Sequence, residues 1–337
     1  MIRIDGSIGG GQILRTSLSL SALTKKSFKI INIRSKRNNP GLQNQHLTAV
    51  NSISKICNAE VKGNEIGSKE LEFIPNEIVS GKYKFNIGTA GSTTLVLQTH
   101  LPPLIFAKEK SELEIIGGTA NPLAPPALEI KEVFLWHLNK LGCNINFNIG
   151  KEGFYPKGGG KICVNITPCE ELKEIKLQEP HHGYYEDTKI IAVCSNTLKE
   201  RDICKRLIKG FKSNFPITNK LETEEIYLDT LSPGCYIHSN YKYNDCKIGM
   251  SVLGEKSRKA EDIGEECAIN LLKEIKAGVN VDNFTADQLL IYLGIKGSGK
   301  LRVSKVTDHM KSNIQVIEKF LDVKFNIENN IIECIKI

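Results

Sequence analysis

The stretch Ile4-Asp5-Gly6-Ser7-Ile8-Gly9-Gly10-Gly11-Gln12-Ile13-Leu14-Arg15 decides the fold, because its hydrophobic period changes in the middle. Ahead of the glycines, Ile2 to Ile4 alternates apolar and polar residues, as a strand does. Beyond them Ile13-Leu14 and Leu18, Leu20 and Leu23 recur at helical spacing through Thr24. The unit therefore reads strand, glycine loop, helix. Phe28 to Ile33 predicts a second strand. Arg34-Ser35-Lys36-Arg37-Asn38-Asn39-Pro40-Gly41 is a basic loop with a Pro-Gly turn, and Leu47, Val50, Ile53 and Ile56-Cys57 step along one face of a second helix.

The same order returns later in the chain. Tyr83 to Ile87 is strand-like, Gly88-Thr89-Ala90-Gly91-Ser92 is a loop of small residues, and Thr93 to Leu101 predicts a helix stopped by Pro102-Pro103. Glu112 to Ile116 predicts another strand. Ile130, Val133-Phe134, His137-Leu138 and Leu141 then mark a helix with Gly142 just past its end. The echo between residues 1–60 and 83–142 implies a repeated β/α unit, and a partial third echo lies at 284–335. There His309 to Leu321 predicts a helix, and Val323–Ile327 and Ile331–Ile335 form a hairpin about Glu328-Asn329-Asn330.

The segment between these echoes differs. It carries strand candidates at Ile190–Val193, Glu224–Leu228 and Ile248–Leu253, and helix candidates at Leu198–Phe215 and Ser257–Ile275. The first helix must end by Phe215, because Pro216 follows. The expected organisation is a large domain of residues 1–182 plus 279–337, with a smaller α/β domain inserted at 183–278. The fold class is α/β (α+β).

Composition narrows the setting. A length of 337 residues exceeds one ordinary domain, and 40% hydrophobic with 25% charged residues is usual for a globular protein. No apolar run approaches the roughly 18 residues that span a bilayer, and the first five residues are no signal peptide, so the expected location is the cytoplasm, with no membrane partner. The net charge of +7 suits a polyanionic ligand without demanding one. The ten cysteines include no C-x-x-C pair, which argues against zinc and for small buried side chains in a reducing cell.

Taken one at a time, the chemistry-bearing residues stay open. The first glycine loop opens a helix, so it is either an anion site or a plain tight turn; Gln12 and Arg15 project from its first turn. The Arg34–Arg37 loop is a phosphate clamp or a solvated basic loop, with Gln45 and His46 at the next helix start. Phe154-Tyr155-Pro156-Lys157-Gly158-Gly159-Gly160 is an exposed turn or a loop that touches a nucleotide. Asp287 caps a helix or holds a ribose hydroxyl, and Phe284 fills core or stacks on a base. A histidine whose other ring nitrogen is held can act as a nucleophile, but nothing local selects His309 over His46 or His238.

Together these pieces resemble the RNA 3′-terminal phosphate cyclase family. The resemblance is carried by Ile4-Asp5-Gly6-Ser7, Gly10-Gly11-Gln12-Ile13-Leu14-Arg15, Arg37 through Pro40-Gly41-Leu42 to Gln45-His46-Leu47, and Gly88 through Thr99. It continues through Gly117-Gly118-Thr119 with Ala124-Pro125-Pro126, Gly153-Phe154-Tyr155-Pro156 with Gly158-Gly159-Gly160, Gly254-Glu255-Lys256, Ala286-Asp287-Gln288-Leu289, and His309 with Asn313-Ile314. It implies three repeats, each a sheet with two helices, plus a smaller inserted domain.

It further implies that His309 attacks the α-phosphate of ATP to form a histidine–AMP intermediate. The adenylate then passes to an RNA 3′-phosphate, which closes to a 2′,3′-cyclic phosphodiester. By the same resemblance Arg15, Arg34, Arg37 and Gln45 gather phosphates and the RNA end. Gln98, Pro125 and Phe284 surround the adenine, and Thr285, Ala286, Asp287 and Gln288 lie near the nucleoside. The implied partners are ATP, a divalent Mg2+ or Mn2+ ion and RNA with a 3′-phosphate. One departure matters: the glutamate of Gly-Glu-Gly-Gly-Gly-Gln, expected to hold the metal, is missing from the shorter Ser7-Ile8-Gly9-Gly10-Gly11-Gln12, so no metal ligand is named. The alternative the resemblance leaves is a noncatalytic cyclase-like protein of ribosome assembly.

Overall fold

A computed structural model describes residues 1–176, 187–216 and 220–337. The first repeat comprises β1 (Ile2–Asp5), α1 (Gly11–Thr24), β2 (Phe28–Ile31), α2 (Asn44–Ile56), β3 (Glu60–Lys62) and β4 (Leu71–Ile74). Its sheet order is β1-β2-β4-β3; β1 and β2 are parallel across α1, and the other pairings are antiparallel.

The second repeat copies this plan. β5 (Lys82–Asn86), α3 (Thr93–Ile105) and β6 (Ser111–Gly117) lead to α4 (Ala127–Glu129), a π turn at Ile130–Phe134 and α5 (Leu135–Lys140). β7 (Asn144–Lys151) and β8 (Gly160–Thr167) complete it in the order β5-β6-β8-β7, with the same parallel and antiparallel pairings.

Four strands follow: β9 (Asp187–Ser195), β10 (Lys220–Leu228), β11 (Cys235–Tyr243) and β12 (Cys246–Leu253), ordered β10-β9-β11-β12. α6 (Ile203–Asn214) and α7 (Ala260–Lys276) cover one face. There Ile190, Ala192 and Cys194 meet Leu207, Phe211, Ile263 and Leu271. Alternate residues Ile191 and Val193 point the other way, with Tyr236, onto Ala120, Leu128 and Phe154 of the second repeat. β9 is therefore buried on both faces, which is why it reads as an unbroken apolar run. The expected start of the insertion, between 182 and 183, lies outside the described residues; its expected end at 278 falls between α7 and the next helix.

The third repeat comprises α8 (Asn283–Lys296), β13 (Ser298–Arg302), α9 (Asp308–Phe320), β14 (Val323–Glu328) and β15 (Ile331–Lys336), ordered β13-β15-β14. This matches β2-β4-β3 and lacks a counterpart of β1, so the sequence shows only a partial echo. On the edge of β13, the Lys300 N–H donates to the Ile175 carbonyl at 3.0 Å, which places the chain leading to the insertion there. Asn329 and Asn330 both take positive φ, as a two-residue hairpin turn requires.

Three expectations change. α3 does not stop at Leu101 but carries Pro102 and Pro103 inside its last turn. A proline costs a helix the bond its N–H would make to the carbonyl four residues back. For Pro103 that carbonyl belongs to Thr99, and it accepts the Ser19 hydroxyl instead at 2.8 Å. β11 gave no clear strand signal because His238, Ser239 and Asn240 interrupt its alternation. They are buried nonetheless, with His238 Nδ1 2.9 Å from Ser251 Oγ. The helix expected from Ile130 begins earlier and contains the π turn.

None of the ten cysteines is in a disulfide and seven are buried. Among the described residues no helix is long and apolar enough to cross a membrane. The main core runs through all three repeats and is locked end to end by aromatic rings. Phe28 of β2 stands 5.8 Å from Phe73 of β4 and 6.0 Å, edge-on, from Phe320 at the end of α9. Phe320 is fully buried. Phe320→Ala should therefore destabilise the protein by about 3–5 kcal/mol, read as a lower urea midpoint. A loss below about 1 kcal/mol would mean that first and third repeats do not depend on this contact.

Candidate active site

α1 is buried on nearly every side, so its polar residues must find partners inside. The hydroxyl of Ser17 donates to Ile13 O at 2.7 Å, that of Ser19 to Thr99 O, and that of Ser21 to Lys26 O at 2.7 Å. Long polar side chains occur only in its first turn, where Gln12 and Arg15 face a cavity of about 1060 Å3. Gly10 caps the helix without a side-chain bond. The free N–H groups and positive dipole end thus point at the cavity, an arrangement that favours anions. Arg37 reinforces it: a Cβ on Gly10 would stand 3.1 Å from its Nη2. Gly11 has no room for a side chain either, because the His46 ring occupies that space.

Three helices meet at this point through polar side chains. Gln12 Nε2 donates to Asp287 Oδ1 of α8 at 2.7 Å. Its Oε1 stands 2.8 Å from His309 Nδ1 at the start of α9. Thr16 Oγ1 donates to Asn313 Oδ1 at 2.7 Å, and Asn313 Nδ2 donates to the Asp287 carbonyl at 3.1 Å. The pattern fixes roles. A carboxylate accepts, so Gln12 turns its NH2 to Asp287 and its oxygen to His309. His309 then donates from Nδ1, which in the neutral ring makes Nε2 the lone-pair nitrogen of an exposed side chain. Thr307 caps α9, accepting from Met310 N at 3.1 Å, and so sets where His309 emerges.

Charge and burial are balanced around this junction. Burial lowers Arg15 to about 10 while Asp287 opposes the shift, so the guanidinium stays charged at neutral pH. Burial, then Arg37, lowers Arg34. Burial raises the Asp287 carboxyl, against the Gln12 bond, His309 and Arg15. His46 is lowered to about 3 by burial and by Arg15 and Arg34. A neutral ring there adds no further positive charge to a crowded cationic corner.

The residues singled out from sequence separate into two groups. Arg15, Arg37, Gln98, Pro125, Phe284, Asp287, Gln288 and His309 all line the one cavity. Gln98 Nε2 donates to Gln288 Oε1 at 2.7 Å, and Thr94 Oγ1 donates to Pro125 O at 2.8 Å. Phe284 is 60% exposed, so it does not fill core. Asp287 is not a cap: Asp282 caps α8, accepting from Thr285 N at 2.8 Å. Arg34, Gln45, Thr285 and Ala286 stand behind the wall. Arg34 Nη1 donates to the carbonyls of Asn39 and Gly41 and shapes its own loop. Gln45 Oε1 accepts from Ser92 N at 3.0 Å and fixes the loop before α3. Thr285 and Ala286 are buried in α8.

Sequence reasoning missed the partners. Gln12 and Asn313 stood in the motifs that carry the resemblance but were given no role, and Thr16 gave no signal, because the contacts of Gln12 and Thr16 join positions nearly 300 apart in the chain. Glu152 was missed altogether; buried, it accepts from Tyr236 at 2.8 Å and from Thr119, tying β11 to the cavity wall. Among the described residues no group of three His, Cys, Asp or Glu side chains converges as a metal cage. The stretch without the glutamate folds as a 3-10 turn at Gly6–Ile8, capped by Asp5. A divalent ion accompanying a triphosphate would take its ligands mainly from that triphosphate and water.

Comparison with known proteins agrees over nearly the whole chain. The family model described as RNA 3′-terminal phosphate cyclase matches residues 7–327. A protein of Pyrococcus abyssi named RNA 3′-terminal phosphate cyclase is 41% identical, over 98% of this chain and 96% of its own. A protein of the same name from Pyrococcus furiosus is 38% identical over 98% and 96%. One from Sulfolobus acidocaldarius is 39% identical over 98% of each.

The electrostatics yield a test. An ordinary histidine takes its proton near pH 6.5, whereas His46, His100 and His238 are held to about 3 and His137 to about 4, each chiefly by burial. At pH 5 the ring C–H resonances of these four should show neutral imidazole in the folded protein. The unfolded chain takes those protons first, so their contribution to stability is complete above about pH 6.5 and declines as pH falls towards the folded values.

Proposed function

Because the chain belongs to the RNA 3′-terminal phosphate cyclase family, we propose that it uses ATP to convert an RNA 3′-phosphate into a 2′,3′-cyclic phosphodiester, with His309 as nucleophile. The observation that carries this reading is the chain Asp287–Gln12–His309. It holds His309 by Nδ1 at the edge of a cavity that Arg15 and Arg37 also line, by the N-terminus of α1, and leaves Nε2 as the reacting nitrogen of the neutral ring.

The steps balance. The Nε2 lone pair attacks the α-phosphorus of ATP, a P–N bond forms, and pyrophosphate leaves. An oxygen of the RNA 3′-phosphate then attacks the same phosphorus; the P–N bond breaks and His309 is restored. The adjacent 2′-hydroxyl oxygen attacks the activated 3′-phosphorus, the anhydride P–O bond breaks, AMP leaves with that oxygen, and the hydroxyl proton passes to solvent. A phosphate monoester has no good leaving group, and the anhydride supplies one; splitting the reaction through a covalent adenylate makes each step easier. Arg15 and Arg37 offset the charge of the transferring phosphoryl group. Phe284 offers its exposed face to the adenine, with Pro125 and Gln98 beside it. Arg34 and Gln45 act behind the wall by holding the loops, and Thr285 and Ala286 act through α8.

Gln12→Leu removes the acceptor that fixes the His309 tautomer, so histidine adenylation should slow roughly 10- to 100-fold, the scale of losing an orienting partner of a histidine. Single-turnover labelling would measure it.

One observation favours the noncatalytic alternative, namely the absent glutamate in the first loop. Incubation with magnesium and ATP labelled at the α-phosphate separates the readings. Acid-labile label on the wild type, absent from His309→Ala, is the expected outcome. No label on a folded wild type, with pyrophosphatase present, would reject the enzyme reading in favour of a binding role.

A further inference from the structure

The loop Phe154–Gly160 is built to hold one ring in the open. Phe154 is buried against Tyr236, with ring centroids 6.2 Å apart. Gly158 N donates to Phe154 O at 2.8 Å, and Lys157 N donates to Ser232 Oγ at 3.1 Å. Gly158 sits at φ +66 against the backbone of Ala90, where a Cβ would fall 2.7 Å from the Ala90 Cα. Between these anchors Tyr155 is 69% exposed and lines the cavity.

A second loop runs beside it. Ala120 pairs with Phe154 as an isolated bridge, and Asn121 Nδ2 donates to the carbonyl of the same Ala90. This loop presents Leu123, 94% exposed, to the same cavity. An apolar side chain left this open on a pinned loop has no role in the core. Exposed Lys157, two residues on from Tyr155, has no acidic partner among the described residues, so the loop carries an aromatic ring and a cation, the combination that suits a nucleotide.

The cavity thus holds two unpacked rings on different elements. Phe284 belongs to α8, the helix of Asp287 and Gln288, and so to the nucleotide that His309 carries. Tyr155 belongs to the second repeat and is connected to none of these residues. We infer that Tyr155, beside Leu123, is the stacking platform for the terminal base of the RNA whose 3′-phosphate is activated. This rests on the cyclase reading above. Stacking accepts any base, since each has a π-face.

The test is a binding cycle that does not depend on chemistry. Two 5′-fluorescent oligoribonucleotides with 3′-phosphates are compared by anisotropy, one intact and one lacking only its terminal base. Loss of the base should weaken wild-type binding about tenfold, the scale of one base stacked on an aromatic ring. Tyr155→Ala should weaken the intact RNA by the same factor and bind both RNAs alike, while Tyr155→Phe keeps the wild-type preference. Equal wild-type affinity for the two RNAs, or a preference that survives in Tyr155→Ala, would overturn the assignment. Labelling of His309 by ATP without RNA reports separately on the cyclase reading: its loss from the wild type removes that reading, whereas intact labelling with no base preference removes only the role of Tyr155.

Discussion

The structure depends on the near-complete burial of α1. A helix enclosed on almost all sides can carry long polar side chains only at an end, and here that end is Gly11-Gln12-Ile13-Leu14-Arg15. Its serines close on backbone carbonyls within the core, so nothing polar is left over along its length. What remains is the dipole and the free N–H groups at its start, and every other part of the site converges there. α8 and α9 reach it through Asp287, Asn313 and His309. The second repeat reaches it through α3, whose Gln98 meets Gln288.

The electrostatic consequence is a corner of concentrated positive charge. Arg15 and Arg37 stand by a helix N-terminus, with Arg34 just behind. Burial keeps His46 neutral, which spares the corner another cation, and Asp287 supplies the one buried carboxyl that touches the network. Such an arrangement is stabilised by an anionic ligand, because the ligand relieves repulsion that the fold has already enforced.

The repeats explain how the walls are placed. Two copies of strand, helix, strand, helix and hairpin set α1 and α3 side by side, and the third copy, without its first strand, adds α8 and α9. The four-stranded sheet of β9–β12 then lies over the second repeat through Ile191, Val193 and Tyr236. Tyr236 also bonds the buried Glu152, which Thr119 shares. One carboxylate thus joins the small sheet to the loops that bear Leu123 and Tyr155.

Local pattern in the sequence determined the elements: the period change at Gly9–Gly11, the echo at residues 83–142, the asparagine hairpin near the end, and the helix stop before Pro216. The resemblance to the family, not local pattern, singled out the eight residues that share the cavity, among them Arg15, Phe284 and His309. Short-range propensity failed where long-range contacts override it, as at Pro102-Pro103, whose orphaned carbonyl is satisfied by Ser19 of another helix, and at β11, whose polar residues are paired across strands. On local pattern His309 is indistinguishable from His46 and His238. Only the tertiary structure separates them: His46 and His238 are enclosed, with no charged form available to them near neutral pH, whereas His309 is exposed with Nδ1 held by Gln12. Reactivity of an imidazole is set by what binds its other nitrogen and by what surrounds it, and those neighbours come from opposite ends of the chain.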